Sequence, residues 1–385
     1  MRLLSRHPRR GGLIAALVLG LALLAGAALS PEAALAQATR GDVAQENPTG
    51  GNVPGNALGV TSDTEIWRQV RRGVQGTVSI PDPNAAQLIQ SQGESWRAWR
   101  NGPLSTFGGW SLLGMVILLA LFFALRGRIK IDAGASGRTV ERFNAIERFA
   151  HWLTAVSFIV LAITGLNLLY GRYVLLPILG PEVFSAISVA GKYAHNFISF
   201  AFMLGVVMMV VLWLRHNIPN RHDLIWLSKA GGLFSKNVHP PSKKFNAGQK
   251  VIFWVVVIGG LSISLSGISL LFPFEFKMFE GTYAVLNVFG AGLPETLTPM
   301  QEMQLSQLWH TVVGLFLIAV VLAHIYIGSI GMEGAFAAMG SGMVDENWAR
   351  EHHNLWIAEL KGEPMPDHGG GPGDGPGDGR PQPAE

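Results

Sequence analysis

Cysteine is absent from this sequence of 385 residues, and its absence excludes several kinds of chemistry. Without cysteine the chain has no disulfides, no thiolate metal site and no ligand of its own for an iron–sulfur cluster. The CxxCH motif that attaches haem covalently is excluded for the same reason. Any redox centre that this chain binds must therefore be held by other side chains.

Charged residues are also scarce, at 14% of the chain against about 25% in a typical soluble domain. Hydrophobic residues make up 49%, and the mean hydropathy is +0.31. These values argue against a disordered chain and an ordinary soluble enzyme, and they favour a membrane protein. The net charge is only +3, so the basic pI of about 9.2 gives no reason to expect a nucleic-acid partner.

The N-terminus has the three-part organisation of a secretory signal. A basic start is followed by an apolar stretch at residues 13–29 and by the small-x-small pattern of Ala34-Leu35-Ala36. This order predicts a signal peptide at 1–36, with an uncleaved membrane anchor as the alternative. Residues 37–107 are then an exported, periplasmic segment, rich in polar residues, that serves as a partner contact or as a linker.

Five apolar stretches follow, each near the roughly 20 residues that an α-helix needs to cross a bilayer. They lie at 108–125, 150–169, 187–214, 251–272 and 305–330. We therefore predict an all-α membrane protein: a four-helix transmembrane bundle at 140–335, preceded by one extra N-terminal transmembrane helix at 108–125.

Basic residues are concentrated in the loops after the first and the third stretch, and the other two loops contain few. By the positive-inside rule, the basic loops and the C-terminus are cytoplasmic and the mature N-terminus is periplasmic. This orientation agrees with the signal peptide and predicts a multi-pass protein of the bacterial inner membrane. Residues 336–362 then form a cytoplasmic tail, and the Gly/Pro-rich residues 363–385 form a disordered one.

Four of the eleven histidines fall inside the apolar stretches: His151, His195, His310 and His324. Ionisable groups at membrane depth are costly and usually functional. The predicted topology brings His195 and His310 near the periplasmic surface and His151 and His324 near the cytoplasmic surface. The histidines therefore form one pair at each level.

Two histidines at one level suit a haem iron, which takes an axial ligand on each side. His310 and His324 are 14 residues apart, which is about 21 Å and close to four helical turns, so they share one helix face. We predict two non-covalent b haems. The alternative is that the four are isolated polar residues that form hydrogen bonds between helices. Two histidines alone cannot complete a tetrahedral zinc site.

Histidines outside these stretches are interpreted as solvated loop residues, with proton relay as the alternative. They include His216, His222, His352 and His353.

Two cations accompany the histidines. Arg148 precedes His151 by three residues, and Lys192 precedes His195 by three, so each lies about one turn nearer the water on a similar face. We predict that Arg148 and Lys192 pair with haem propionates. Simple extension of a long side chain toward water at a helix end is the alternative.

The stretch from about residue 142 to 359 resembles the cytochrome b (gamma) subunit of membrane-bound formate dehydrogenase. The segments that carry the resemblance are Glu147-Arg148-Phe149-Ala150-His151-Trp152, Lys192-Tyr193-Ala194-His195, Arg215-His216-Asn217-Ile218-Pro219, Phe245-Asn246-Ala247-Gly248-Gln249-Lys250, Trp309-His310, Leu322-Ala323-His324-Ile325-Tyr326 and Trp348-Ala349-Arg350-Glu351-His352-His353. The histidine quartet also occurs in related cytochromes, including the b subunit of nickel–iron hydrogenases. The N-terminal segment and the first apolar stretch lie outside the resemblance.

The resemblance implies a partner and a direction of electron flow. Electrons from formate, oxidised on a molybdenum or tungsten (alpha) subunit, pass through an iron–sulfur (beta) subunit and two b haems to a quinone near the cytoplasmic side, as in anaerobic respiration. It pairs His195 with His310 and His151 with His324 as haem ligands. No catalytic residue for formate oxidation is expected on this chain.

The resemblance also assigns the quinone site to Asn246 and Gly248. The alternative is that Asn246-Ala247-Gly248 is only the N-terminal cap of the fourth apolar helix, and the two roles are compatible.

Two other functions remain open from the sequence. One is the cytochrome b subunit of a nickel–iron hydrogenase, with the same haems and a different electron donor. The other is a haem-free membrane anchor or transporter, although broken helices in repeated halves are not evident.

Overall fold

The computed structural model describes residues 93–235, 237–273 and 275–365. The predicted signal peptide, most of the exported segment and nearly all of the Gly/Pro-rich tail lie outside these residues. The chain divides into two compact units. The first unit combines the segment up to Gly109 with Leu265–Val313, and the second combines Trp110–Ser264 with the chain from Gly314 onward.

The described chain is almost entirely helical. Its α-helices, in order, are α1 (Gly93–Trp99), α2 (Ser105–Arg126), α3 (Ala145–Val174), α4 (Leu176–Trp213), α5 (Arg221–Ser228), α6 (Ala247–Leu271), α7 (Met278–Val288), α8 (Pro299–Tyr326), α9 (Ala337–Gly340), α10 (Glu346–His352) and α11 (Asn354–Lys361). Two short strands, β1 (Thr139–Glu141) and β2 (Met343–Asp345), pair antiparallel with Val140 opposite Val344.

Five helical segments in the described residues are long and apolar enough to cross a membrane. They contain α2, α3, α4, α6 and α8, and each of the five predicted stretches falls on one of them. The prediction of an all-α chain with five apolar helices is therefore confirmed, and the role of the first as an extra N-terminal transmembrane helix stays a prediction. The helices extend beyond the apolar stretches: a short π-helix at Arg100–Leu104 precedes α2, and another at Ile327–Gly331 follows α8.

α4 differs most from its predicted bounds. It begins at Leu176, eleven residues before the predicted stretch, and it bends at Gly180. Gly180 has φ 74° and ψ 168°, a conformation that a residue with a Cβ rarely adopts, and Pro181 follows it. Proline cannot donate the backbone hydrogen bond of a helix interior, so the bend and the proline together separate the first turn from the rest of α4.

A capping box begins α3. The Asn144 side chain accepts a hydrogen bond from the Glu147 backbone N–H, and the Glu147 carboxylate accepts one from the Asn144 N–H, both at 3.0 Å. The second carboxylate oxygen accepts from Trp213 Nε1 at 3.0 Å and from Lys244 Nζ at 2.7 Å. One buried carboxylate therefore joins the start of α3 to the end of α4 and to the segment before α6.

α3 and α4 approach each other closely at a glycine. A Cβ on Gly205 would lie 2.4 Å from Thr154 Oγ1 and 3.0 Å from the Thr154 backbone nitrogen. The Thr154 hydroxyl donates to the Ala150 carbonyl at 2.8 Å, so its position is fixed. Small residues that let helix backbones approach are typical of membrane helix pairs.

The connecting segments at one end of the second unit fold together into what we call the cap: residues 127–144, 214–235, 237–246 and 327–365. Its two strands pair residues from the first and last of these segments. Its buried core includes Phe143, Phe245, Val344, Trp348 and Ile357. The part at 336–362, which the sequence analysis treated as a tail, is therefore folded and contributes to a hydrophobic core.

The first unit has a smaller core of its own. Phe279 and Tyr283 of α7 pack with Leu297, and Trp309 of α8 packs against them. Glu302 of α8 is fully buried, and its carboxylate accepts hydrogen bonds from the backbone N–H groups of Phe279 and Glu280. It thereby satisfies N–H groups at the start of α7 that have no partner within the helix.

Replacement of Gly205 by alanine tests the close approach of α3 and α4. We expect Gly205→Ala to lower the free energy of unfolding by about 1–3 kcal/mol, because the added methyl group has no space beside Thr154. Gly114→Ala in α2 is the matched control, since a Cβ there meets nothing within 4 Å. Thermal unfolding in detergent, followed by circular dichroism, measures both. Equal midpoints for the two variants would contradict this account of the packing.

Candidate cofactor site

His151 and His324 lie beside each other in the second unit. His151 is in the second turn of α3 and His324 is in the last turn of α8. Their ring centres are 6.2 Å apart, with 59° between the ring planes. The structure therefore brings together the two histidines that the sequence analysis paired at this level.

The spacing of these two rings suits a shared metal ion. With imidazole–metal bonds of about 2 Å on opposite sides, the two ring centres would be roughly 6 Å apart. The Nδ1 atom of His151 is also buried, and it has no hydrogen-bond partner among the described residues. A buried polar atom without a partner is costly and calls for an explanation such as a bound group. The two side chains thus fit the axial ligands of a haem iron.

His195, on α4, is oriented by a hydroxyl group. Its Nδ1 is 2.8 Å from Thr164 Oγ1 on α3. The Thr164 hydroxyl donates to the Val160 carbonyl at 2.8 Å, so we assign it as the acceptor of a hydrogen bond from His195 Nδ1–H. This tautomer makes Nε2 the acceptor nitrogen of the ring, the form that binds a metal ion.

His310, on α8, has an equivalent partner within the first unit. Its Nδ1 is 3.0 Å from Ser266 Oγ on α6, and Ser266 is fully buried. A hydroxyl group on a neighbouring helix thus contacts Nδ1 of each histidine that the sequence analysis assigned to the periplasmic level. Such contacts fix the ring orientation of metal-binding histidines.

A glycine follows each of these hydroxyl residues. A Cβ on Gly165 would lie 3.5 Å from His195 Cε1, and a Cβ on Gly267 would lie 3.4 Å from His310 Cε1. Sequence reasoning missed both dipeptides, Thr164-Gly165 and Ser266-Gly267. The signal was present, because each dipeptide falls near the end of its apolar stretch, at the depth predicted for His195 and His310.

The two predicted propionate partners are in different surroundings. Arg148 is half-buried, and its Nη1 donates to the Gly340 carbonyl at 3.2 Å. Trp152 Nε1 donates to the preceding carbonyl, that of Met339, at 2.8 Å. Lys192 is exposed. Arg148 thus has a contact with the cap already, and the pairing of both residues with propionates stays a prediction.

Asn246 is the N-cap of α6, as the alternative interpretation expected. Its side chain accepts from the Gln249 N–H at 2.9 Å, and the Gln249 side chain accepts from the Asn246 N–H at 3.1 Å. Gly248 lies against Trp226 of α5, since a Cβ there would be 2.8 Å from the indole ring. These contacts explain both residue types structurally and leave the quinone role as a prediction.

The interpretation of the last histidine pair as solvated is wrong. His353 is completely buried, and its Nδ1 lies 2.8 Å from the Lys243 carbonyl oxygen. Burial, and to a smaller extent the charge of His239, lowers the pKa of His352 to about 4. Burial also holds the pKa of His353 well below its usual value. Both rings are therefore neutral at pH 7 and belong to the core of the cap.

Comparison with known proteins gives a family and several relatives. The family described as prokaryotic cytochrome b561 matches residues 142–342, slightly more than half of the chain. The nitrate-inducible formate dehydrogenase cytochrome b556 subunit of Escherichia coli K12 is 25% identical over 229 residues, which cover 59% of this chain and 94% of that protein. A second formate dehydrogenase cytochrome b556 subunit of the same organism is also 25% identical, over 58% of this chain and 94% of its own length.

A relative from a second organism is similar to the chain as well. The formate dehydrogenase cytochrome b556 subunit of Haemophilus influenzae is 24% identical over 234 residues, covering 60% of this chain and 87% of that protein. The family match includes all four candidate histidines and ends within the cap.

Proposed function

Because this chain belongs to the prokaryotic cytochrome b561 family, we propose that it is the membrane-anchoring, di-haem cytochrome b subunit of a formate dehydrogenase complex. Its family and its five apolar helices make it a multi-pass membrane protein with b-type haem. The relatives described above are formate dehydrogenase subunits, which supports this complex over a nickel–iron hydrogenase.

The His151–His324 pair is the observation that carries the proposal. The two rings come from α3 and α8, and a ring-centre spacing of 6.2 Å leaves room for one metal ion between them. We propose that His151 and His324 would hold one haem b and that His195 and His310 would hold the other, as the resemblance pairs them. Haem supplies reversible one-electron transfer at its iron when bound.

The protein's own groups hold the imidazoles in the required state. The Thr164 hydroxyl accepts from Nδ1–H of His195, which makes Nε2 the metal-binding nitrogen of that ring, and the Ser266 hydroxyl contacts Nδ1 of His310. Gly165 and Gly267 lie beside the Cε1 atoms of these two rings. Helix α8 carries one proposed ligand of each pair.

The proposed orientation follows the basic loops. The cap lies in the bacterial cytoplasm and the His195 level faces the periplasm, where the iron–sulfur subunit docks and delivers electrons that the molybdenum or tungsten subunit takes from formate. Quinone receives them near the cap. An electron that crosses inward moves one charge, which is worth about 2.3 kcal/mol per 100 mV of membrane potential.

We assign the quinone site to the start of α6. Quinone carbonyls need hydrogen-bond donors. The side-chain amide of Asn246 offers its NH₂ group as a donor, while its oxygen accepts from the Gln249 backbone N–H. The cap supplies the route by which water and protons reach this site, since quinone reduction takes up protons.

Haem content tests the ligand assignment. The purified chain is expected to contain two b haems in a pyridine haemochrome assay. His324→Ala and His151→Ala should each reduce the content to one, because each removes a ligand of the same haem. His216→Ala, outside the proposed pairs, is the control and should keep two. A wild-type protein without haem would overturn the proposal, and equal losses in the control would overturn the assignment.

The hydroxyl partner of His195 offers a second test. Thr164→Val should raise the reduction potential of one haem, since an imidazole whose Nδ1–H has lost the Thr164 hydroxyl as acceptor is a weaker donor to iron. The other haem should not change. Thr311→Val is the matched control, because the Thr311 hydroxyl donates to a helix carbonyl, Gln307 O, at 2.8 Å. Potentiometric titration of the haem absorbance measures both, and similar shifts in the two variants would refute this role.

Two substitutions at Asn246 separate capping from quinone binding. Asn246→Ser keeps a good N-cap but lacks the amide donor, whereas Asn246→Ala lacks both. We expect both variants to slow reoxidation of the reduced haems by a short-chain quinone about threefold to tenfold, as the loss of one hydrogen bond predicts. Only the alanine variant should lose about 1 kcal/mol of stability. Wild-type reoxidation in the serine variant would show that capping is the sole role.

A further inference from the structure

A second cluster of metal-binding side chains lies in the cap, among residues that the proposed function does not use. It consists of Asp132, His239 and Glu351, whose ligand atoms all lie within 4.8 Å of one another. His239 Nε2 is 3.2 Å from Asp132 Oδ2. The three residues come from three separate segments: the loop after α2, the loop before α6 and helix α10.

Backbone contacts hold the two carboxylates in place. Glu351 is buried, and its two oxygens accept from the N–H groups of Asp132 and Ala133 at 2.9 and 2.8 Å. Asp132 Oδ2 accepts from the Asn237 N–H at 3.0 Å. Each carboxylate oxygen has two lone pairs, so one N–H bond leaves capacity for a metal ion. Carboxylates oriented in this way are typical of built metal sites.

A fourth group adjoins the cluster. The ring centre of His352 is 6.3 Å from that of His239, a spacing like that of the haem histidines. His352 Nε2 is buried and has no hydrogen-bond partner among the described residues. Asp132, His239 and His352 also line one pocket. A ligand in this pocket would satisfy the buried nitrogen, whose isolation is otherwise costly.

The cluster combines two carboxylates with one imidazole. Arg126 and Lys130 line the same pocket as Asp132 and His239, and Arg126 Nε donates to the Leu233 carbonyl at 2.9 Å. Two carboxylates and one imidazole form a mixed nitrogen and oxygen set that zinc accepts, with water in its fourth position. Magnesium and calcium prefer oxygen ligands alone, so the histidine selects against them.

We propose that Asp132, His239 and Glu351 bind one zinc-type divalent ion, with His352 lining the same pocket. The ion links the exit of α2 to the loop before α6 and to α10, and so fastens the first membrane helix to the cap. This role is structural, and it is independent of the haem and quinone assignments.

Zinc content of the purified holoprotein tests the proposal. The full chain, carrying an affinity tag without histidine, is stripped with a chelator, equilibrated with zinc chloride, desalted and analysed by atomic emission. Wild type should retain roughly one zinc ion per chain, as a single three-ligand site implies. His239→Ala and Asp132→Asn should lose it, and His222→Ala, at the start of α5, should retain it.

A second readout keeps the test decisive if a variant is unstable. The haem spectrum of each variant reports whether the membrane bundle is intact, and zinc should raise the thermal midpoint of wild type and of His222→Ala only. Failure of wild type to retain zinc, or equal retention in every variant, would overturn the proposal.

Discussion

An imidazole inside a membrane helix needs a partner for its nitrogens, because lipid offers none. This constraint organises the candidate site. Thr164 and Ser266 supply hydroxyl contacts to His195 and His310, and His151 lies beside His324 instead. Helix packing then serves to keep these rings in position. The close approach of α3 and α4 at Gly205 keeps the helices that carry His151 and His195 in fixed positions.

The cap depends on the same helices through one carboxylate. Glu147 closes the capping box of α3 and also accepts from Trp213 and Lys244. Glu147 lies one turn before His151. The carboxylate that caps α3 therefore also holds the His151 end of the helix against the cap core. Loss of that carboxylate would leave the half-buried Lys244 and the buried Trp213 indole without this hydrogen-bond acceptor, which is costly.

The periodicity and apolar character of the chain were sufficient to predict the five long apolar helices and the adjacency of His151 and His324. The bend at Gly180 was not predicted, because hydropathy averages over a window that hides one residue's dihedral angles. The folded cap was missed for another reason: its helices and strands are short, and their burial depends on contacts between segments some 200 residues apart, such as Val140 with Val344. The roles of Thr164-Gly165 and Ser266-Gly267 can be inferred only when the predicted membrane depth of each dipeptide is compared with that of His195 and His310.

The length of α4 sets how the protein meets the bilayer surface. Its 38 residues correspond to about 57 Å, whereas the hydrocarbon core is about 30 Å thick. Even a steep tilt leaves part of the helix outside the lipid tails. The bend at Gly180 redirects the first turn, where Ile178 is largely exposed, so this turn can lie along the headgroup boundary. An apolar turn at that boundary resists movement of the helix along the membrane normal.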